Sequence, residues 1–466
     1  MPCPYFRSMF GAAIIGAQAL HAPMAMANEE VDILGAQISE IRQQFHNMKQ
    51  AYENQIAALA QRLKELESSA SKKPVQVSEA RPAAASPPPV TTLPSTTPPG
   101  NGDLQLGLSS LFASGGSSVD NAALKGLQAG AHDPNQNGFT VQNVELTIGA
   151  AVDPYFNAQA NIIFQIDADG ETVVELEEAF FTTRSLPWGL QVKGGQFYTE
   201  FGRQNPQHPH TWSFVDQPVV LSRFFGGDGL RSQGARVAWL MPTDWYSELY
   251  VGVQNAKGET VTSFLSELAE EVGGHTLIDR NARGFGDLLY SARWLNGIDL
   301  SDTVSANLGL SSVLGPNASG TSTNTRILGA DIFLKWQARR THRGSPFVSW
   351  HTEALHRRYE AGDASNPIRE VLKDWGLFTQ VLWGFKPGWV AGLRWDYATA
   401  QGQTSLDPLR DTRNRLSPNL TWYPTEFSKV RLQYNRDWAT HLQDRTADSI
   451  WLQFEFSLGR HAAHIF

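Results

Sequence analysis

Period-two alternation recurs through residues 103–466 and constrains this 466-residue chain more than any other feature. Ala158, Ala160, Ile162, Phe164 and Ile166 alternate with Gln159, Asn161, Ile163 and Gln165. Ile450, Leu452, Phe454, Phe456 and Leu458 alternate with Trp451, Gln453, Glu455 and Ser457. Successive residues of a strand point to opposite faces, so one face of each run is apolar and the other polar. About sixteen such runs start near residues 104, 139, 155, 172, 188, 234, 245, 287, 303, 325, 345, 374, 388, 413, 428 and 448. Their connections alternate in length. Short ones hold Asp153-Pro154, Leu186-Pro187, Met241-Pro242, Pro346, Lys386-Pro387-Gly388 and Tyr423-Pro424. Long polar ones fall at 113–138, 199–233, 255–286, 314–324, 358–373, 400–412 and 438–447, and a tight turn at Asp169-Gly170 breaks the rhythm. Short turns at one end and long loops at the other are expected of an all-β transmembrane antiparallel barrel of about sixteen strands. Tyr155, Trp188, Trp245, Trp389, Trp422, Tyr423 and Phe427 gather beside the short turns, where an interfacial girdle belongs.

Composition narrows the alternatives. No predominantly apolar stretch of 18 residues follows residue 27, so a bundle of membrane helices is excluded. The net charge of -8 argues against a nucleic-acid partner. Cys3 is the single cysteine and lies in a segment expected to be removed, which leaves no thiol for catalysis, disulfides or zinc. No Ser–His or Asp–His spacing stands above background, so no enzyme is expected.

The first hundred residues divide in three. Arg7, the apolar core Met9–Leu20 and the small-residue site Ala25-Met26-Ala27 read as a signal peptide over 1–27. Residues 28–67 read as a periplasmic α-helical coiled coil. Its seam is Val31, Leu34, Ile38, Ile41, Phe45, Met48 and Tyr52, continued by Ile56, Leu59, Leu63 and Leu66. A lone helix would leave that stripe wet, so a homo-oligomer through the coil is expected, and Ile38, Phe45 and Tyr52 at one seam position leave dimer and trimer open. Residues 68–102, with eight prolines, form a Pro/Ser/Ala/Thr-rich linker. The barrel occupies 103–466, in the outer membrane of a Gram-negative bacterium and surrounded by its lipid. Its last strand and terminal Phe466 resemble the signal read by the barrel-assembly machinery.

A sixteen-stranded barrel is too wide for strand side chains to fill, so water is expected inside. The lumen-facing set is mixed in sign: Arg236, Asp331, Lys335, Arg394, Asp396 and Arg431, with Glu145, Arg293, His351, Glu353 and Glu455. The segment 196–236 would be the third long-side loop and suits a constriction carrying Arg203, Asp216, Arg223, Asp228 and Arg231. Arginines fixed beside carboxylates set a transverse field. The same pairs would equally pin the loop to the wall. His208 and His210 point the same way in an extended chain and begin a zinc or copper site without completing it, with Asp216 or His275 as a candidate third ligand. No cofactor is otherwise called for. Asp167, Asp169 and Glu171 suit a hairpin tip better than a calcium loop.

The stretch GQFYTEFGRQNPQHPHTW, followed by FVDQP and FFGGDGL, resembles the proteobacterial proteins named zinc-regulated TonB-dependent outer-membrane receptors, as do LEEAFFTT at 176–183 and the terminal SLGRHAAHIF. More distantly the layout resembles the phosphate-selective porins O and P, and the coil with its spacer resembles the periplasmic extension of dicarboxylate-type trimeric porins. The resemblance implies a trimeric channel whose third long loop narrows the pore, and it attaches any zinc to His208 and His210. The function expected is passive diffusion of small hydrophilic solutes or ions. The alternative is an outer-membrane receptor for zinc or a metal complex.

Overall fold

The computed structural model describes residues 104–459 apart from 128–129, 168–169, 267–270, 343, 364–367, 369 and 402–405. The signal peptide, coil, linker, His461, His464 and Phe466 lie outside the described residues.

Sixteen strands form a closed antiparallel barrel in chain order. They are β1 Leu104–Ser117, β2 Gly138–Ala151, β3 Phe156–Ile166, β4 Thr172–Thr183, β5 Leu190–Tyr198, β6 Arg231–Leu240, β7 Tyr246–Asn255 and β8 Leu288–Ser301. The second half is β9 Val304–Pro316, β10 Asn324–His342, β11 Ser345–Ala361, β12 Glu370–Lys386, β13 Trp389–Gln401, β14 Arg413–Thr425, β15 Ser428–Ala439 and β16 Thr446–Gly459. β1 closes on β16 with Leu108 opposite Leu458 and Phe112 opposite Phe454. The alternation of connection length holds around the ring. The short turns are 152–155, 184–189, 241–245, 302–303, 343–344, 387–388 and 426–427. The β3–β4 connection on the long-loop side is a hairpin turn, with Gly170 at φ 85°.

Two details differ from the sequence reading. Pro346 and Tyr423-Pro424 lie inside β11 and β14 rather than in the turns. Each sits within a few residues of a strand end, and the β14–β15 register breaks between Trp422 and Thr425, so the missing amide costs little pairing there. Several strands also run further towards the long loops than expected. β11 reaches Ala361, where Tyr359, Ala361 and Leu372 bury one another.

The alternation sorts the barrel's two surfaces. Leu393, Trp395, Leu416, Leu432, Ile450 and Leu452 stand on the outside, while Arg394, Asp396, Arg415, Arg431, Trp451 and Gln453 are buried inside. Tyr155, Trp188, Trp245, Trp422 and Phe427 are exposed next to the short turns, and Trp389 stacks on Trp422 with ring centroids 5.9 Å apart. Leu393→Arg puts a charge on the outer face of β13. It should cost about 2–4 kcal/mol if it lies at the bilayer midplane and less towards the interface, read as a lower unfolding midpoint in lipid vesicles. Leu393→Ala should change that midpoint far less.

The interior corrects the expectation of a lumen filled only by water. A hydrophobic core lies within the ring of strands. Wall residues Leu289, Val313, Ile327, Leu355 and Phe378, from β8 to β12, meet Phe201, Val220, Leu221, Phe224, Phe225 and Leu230 of the third long loop. Val261, Phe264 and Leu265 of the next long loop complete it. Two short helices support the inward chain. α1 (Asn121–Leu127) buries Leu124 against Val215 and Trp451. α2 (Val219–Phe225) follows Pro218, whose fixed φ starts the turn, and ends at Gly226 with φ 82°. All of α2 except Arg223 is buried.

Candidate functional site

The loop 199–230 follows the inner wall, and almost every polar side chain it passes holds it. Gly202 adopts φ 60°, where a Cβ would collide with the Glu353 carboxylate of β11. That turn lets the Arg203 and Gln204 amides donate to Glu353 Oε1 at 2.6 and 2.7 Å. Asn205 closes the base of the loop, donating to Thr199 O and Leu230 O and accepting from the Leu230 amide. Further on, Arg431 donates to Trp212 O and Asn419 to Ser213 O.

Asp216 is the main anchor. It is buried and accepts from Arg394 of β13 at 2.6 Å, Arg415 of β14 at 2.8 Å, Asn435 at 2.9 Å and Gln433 at 3.1 Å. Burial alone would raise its carboxyl, but the two guanidiniums outweigh it and hold the group below the ordinary aspartate value. The Val219 amide donates to Asp396 Oδ1, fixing the start of α2.

The five expected constriction residues are distributed around the wall. Asp216 lies at β13–β15. Arg223 donates to the carbonyls of Arg410 and Asp411. Arg231 opens β6, pairs with Glu175, and reaches Tyr198 Oη at 3.1 Å and Asp228 O at 3.4 Å. Asp228 Oδ1 lies 3.7 Å from His132. Arg203 keeps part of its surface uncovered, with its guanidinium 3.9 Å from the centre of the Phe333 ring.

The lumen set is inward and mostly paired. Arg236 lies 3.5 Å from Glu200 and Asp331 takes a two-point contact from Arg293. Arg394 binds Asp396 at 2.7 Å, and Lys429 meets Glu455 at 2.5 Å. Lys335 is partly exposed beside Phe347.

His208 and His210 do face the same way, with ring centroids 5.7 Å apart. Their neighbours are not Asp216, which is held by Arg394 and Arg415, nor His275, which lies in the next long loop and bonds Glu370 of β12. They are the wall carboxylates of β2 and β4. His208 Nδ1 lies 2.7 Å from Glu177 Oε2 and 3.2 Å from Glu145 Oε1, and its Nε2 lies 2.9 Å from Glu178 Oε2. His210 Nδ1 lies 2.9 Å from Glu145 Oε2. Burial pushes the His208 imidazole down, but Glu145 and Glu177 outweigh it and hold it well above the usual histidine value. The sequence reading singled out LEEAFFTT only as a resemblance; Glu177 and Glu178 within it lie inside the barrel, against His208.

One junction should respond to pH. Asp133, in the loop before β2, accepts from the Gln217 amide at 2.9 Å. Burial and the nearby Asp216 carboxylate push it up to about 7. A carboxyl raised on folding contributes stability that is full below its ordinary value near 3.8 and is lost as pH rises through about 7. The unfolding midpoint of the barrel should therefore fall across that window. Asp133→Asn should remove the dependence.

No family model matches the chain. An uncharacterised protein of Aquifex aeolicus (strain VF5) is 32% identical over 349 residues, which span 71% of this chain and 71% of that protein. Among solved structures, the outer membrane channel DcaP of Acinetobacter baumannii matches with a TM-score of 0.51 at 11% identity, over 77% of this chain and 98% of that one. OprB of Pseudomonas putida matches with a TM-score of 0.47 at 12% identity, over 77% of this chain and 94% of that one. The likeness to DcaP is one of fold.

Proposed function

We propose that this chain, which belongs to one family with the Aquifex aeolicus protein, is an outer-membrane channel for passive diffusion of small hydrophilic solutes or ions. The observation that carries the reading is a closed barrel, apolar outside and charged inside, with one long loop laid against its inner wall. An apolar exterior matched to lipid and a polar interior have no use in a soluble sandwich. The loop narrows the passage. Of the five expected constriction residues, Asp216 serves chiefly to pin it, buried between Arg394 and Arg415, and Arg231 is buried in its pair with Glu175 on the wall. Arg203 keeps the solute-facing role, together with the partly exposed Lys193, Glu200 and Lys335 on the same inner surface. In this reading the N-terminal coil joins protomers, as a trimer, in the periplasm. The channel likeness of DcaP, a protein of the same fold, supports the assignment.

The test is single-channel recording of the refolded barrel in a planar bilayer under a salt gradient. Discrete steps with a non-zero reversal potential are expected, and Arg203→Ala should shift that potential towards cations. Silence from a correctly folded barrel would refute the channel.

A further inference from the structure

The histidine pair and the wall carboxylates form the densest unresolved chemistry inside the barrel. Glu145, Glu177 and His208 each offer one ligand atom within 4.8 Å of the other two, and all three residues are buried or nearly so. Glu177 Oε2 and His208 Nδ1 are 2.7 Å apart yet are not aligned for a hydrogen bond, and each is a buried polar atom without one. A second imidazole points the same way. His132 Nε2 is buried, makes no hydrogen bond, and has Glu177 Oε1 at 3.8 Å and Asp228 Oδ1 at 3.7 Å. Buried polar atoms held by charge contact without a well-aligned hydrogen bond leave donor capacity for a further ligand.

The carboxylates outnumber the imidazoles, with Glu145, Glu177 and Glu178 facing His208 and His210. Without an ion, a proton on His208 and the Arg231 guanidinium, 3.6 Å from Glu177, offset part of that charge. A divalent cation bound at His208 Nδ1 would displace that proton and take over its role.

We propose that Glu145, Glu177 and His208 bind one divalent transition-metal ion of the zinc class, which fastens the inward loop to the wall at β2 and β4. A nitrogen donor with two carboxylates suits zinc and excludes magnesium or calcium as the preferred ion. Metal–ligand bonds of about 2.0–2.2 Å at tetrahedral angles place donor atoms roughly 3.4 Å apart, and His208 Nδ1 already lies 3.2 Å from Glu145 Oε1 and 2.7 Å from Glu177 Oε2. The supporting contacts are in place. Tyr198 Oη donates to Glu177 Oε1 at 2.6 Å, Asn161 donates to Glu145 Oε1 at 2.5 Å, and His210 Nδ1 holds Glu145 Oε2. Such outer contacts orient the ligating atoms. The ion joins residues separated by 30 or more positions and belonging to different elements, the loop on one side and the two strands on the other. The inference goes beyond the channel reading and does not depend on it, since a barrel that passed no solute would still take up the ion.

The test uses the full chain refolded in detergent, stripped with chelator and then dialysed against Zn²⁺ alone. Metal is counted by mass spectrometry. About one zinc per chain is expected, weakened at least ~10-fold in Glu177→Gln and in His208→Gln, and unchanged in His275→Ala. Zinc should also slow proteolysis within 199–230. If either ligand variant fails to fold, Co²⁺ in the wild-type chain supplies the readout: visible d–d bands of a four-coordinate site, erased by added Zn²⁺. No uptake by the folded wild-type chain would overturn the site, as would uptake that survives both ligand substitutions or disappears with His275→Ala. Colourless Co²⁺ would overturn it equally.

Discussion

Asp216→Ala should release the middle of the inward loop and destabilise the folded barrel by about 3–5 kcal/mol. The carboxylate is fully buried and receives Arg394 and Arg415 directly, with Gln433 and Asn435 completing its shell. Removing it does not simply delete hydrogen bonds. Arg394 retains Asp396, and Arg415 retains Asp437. Even so, the inner wall would hold more buried positive charge than it can pair. The loop leaves the wall because the alternative is an uncompensated guanidinium in a dry site. Two measurements check this. The unfolding midpoint should drop, and limited proteolysis should cut within 210–220, a stretch that is buried at most positions in the wild type. Single-channel conductance should become larger and noisier as the loop moves. Asp216→Asn, which keeps the shape and loses the charge, should fall between the two. An unchanged cleavage pattern in Asp216→Ala would show that the hydrophobic contacts alone hold the loop.

Phe224→Ala attacks those contacts from the other side. Phe224 is fully buried on α2, within the core shared with Leu355 of β11 and Phe378 of β12, and the Arg357 guanidinium lies 5.0 Å from its ring centre. Truncating a buried phenylalanine removes its transfer free energy and leaves a cavity, a loss of about 3–5 kcal/mol. A seven-residue helix has little stability of its own, so α2 should unwind rather than shift. The barrel ladder does not pass through α2, so the far-ultraviolet strand signal should persist while the loop becomes protease-sensitive. A loss of strand signal in parallel would instead mean that the barrel cannot close without its interior core.

The two substitutions mark how much of this architecture was legible. The strand count, the order of short and long connections and the sidedness of each strand were readable, because a half-buried strand repeats every two residues whatever lies beside it. The inner core was not read, although a signal for it was present. Leu289, Val313, Ile327 and Leu355 are apolar residues on the otherwise polar inner faces of four neighbouring strands. Period-two reasoning treats such residues as noise on the lumen wall. They gain meaning only beside the Phe201, Phe224 and Phe225 side chains of a loop more than fifty positions away from most of them.

The histidines teach the same lesson from the polar side. An extended HPH segment would place His208 and His210 on one side of the chain, but the structure brings them together differently, through a 3-10 turn at Pro209–Thr211. Their carboxylate partners come from β2 and β4, and no local pattern connects HPH to Glu145 or to the paired glutamates at 177 and 178. The sequence by itself determined the barrel, its lipid face and the existence of a long, charged loop, because these depend on backbone periodicity and on local turn chemistry. Only the tertiary structure decided which charges the loop meets, which arginines anchor it, and which carboxylates surround its histidines. Closing sixteen strands into a ring brings β2, β4 and β11 to β15 around one interior, and the energy of a buried charge is set by whichever side chain that closure places opposite it.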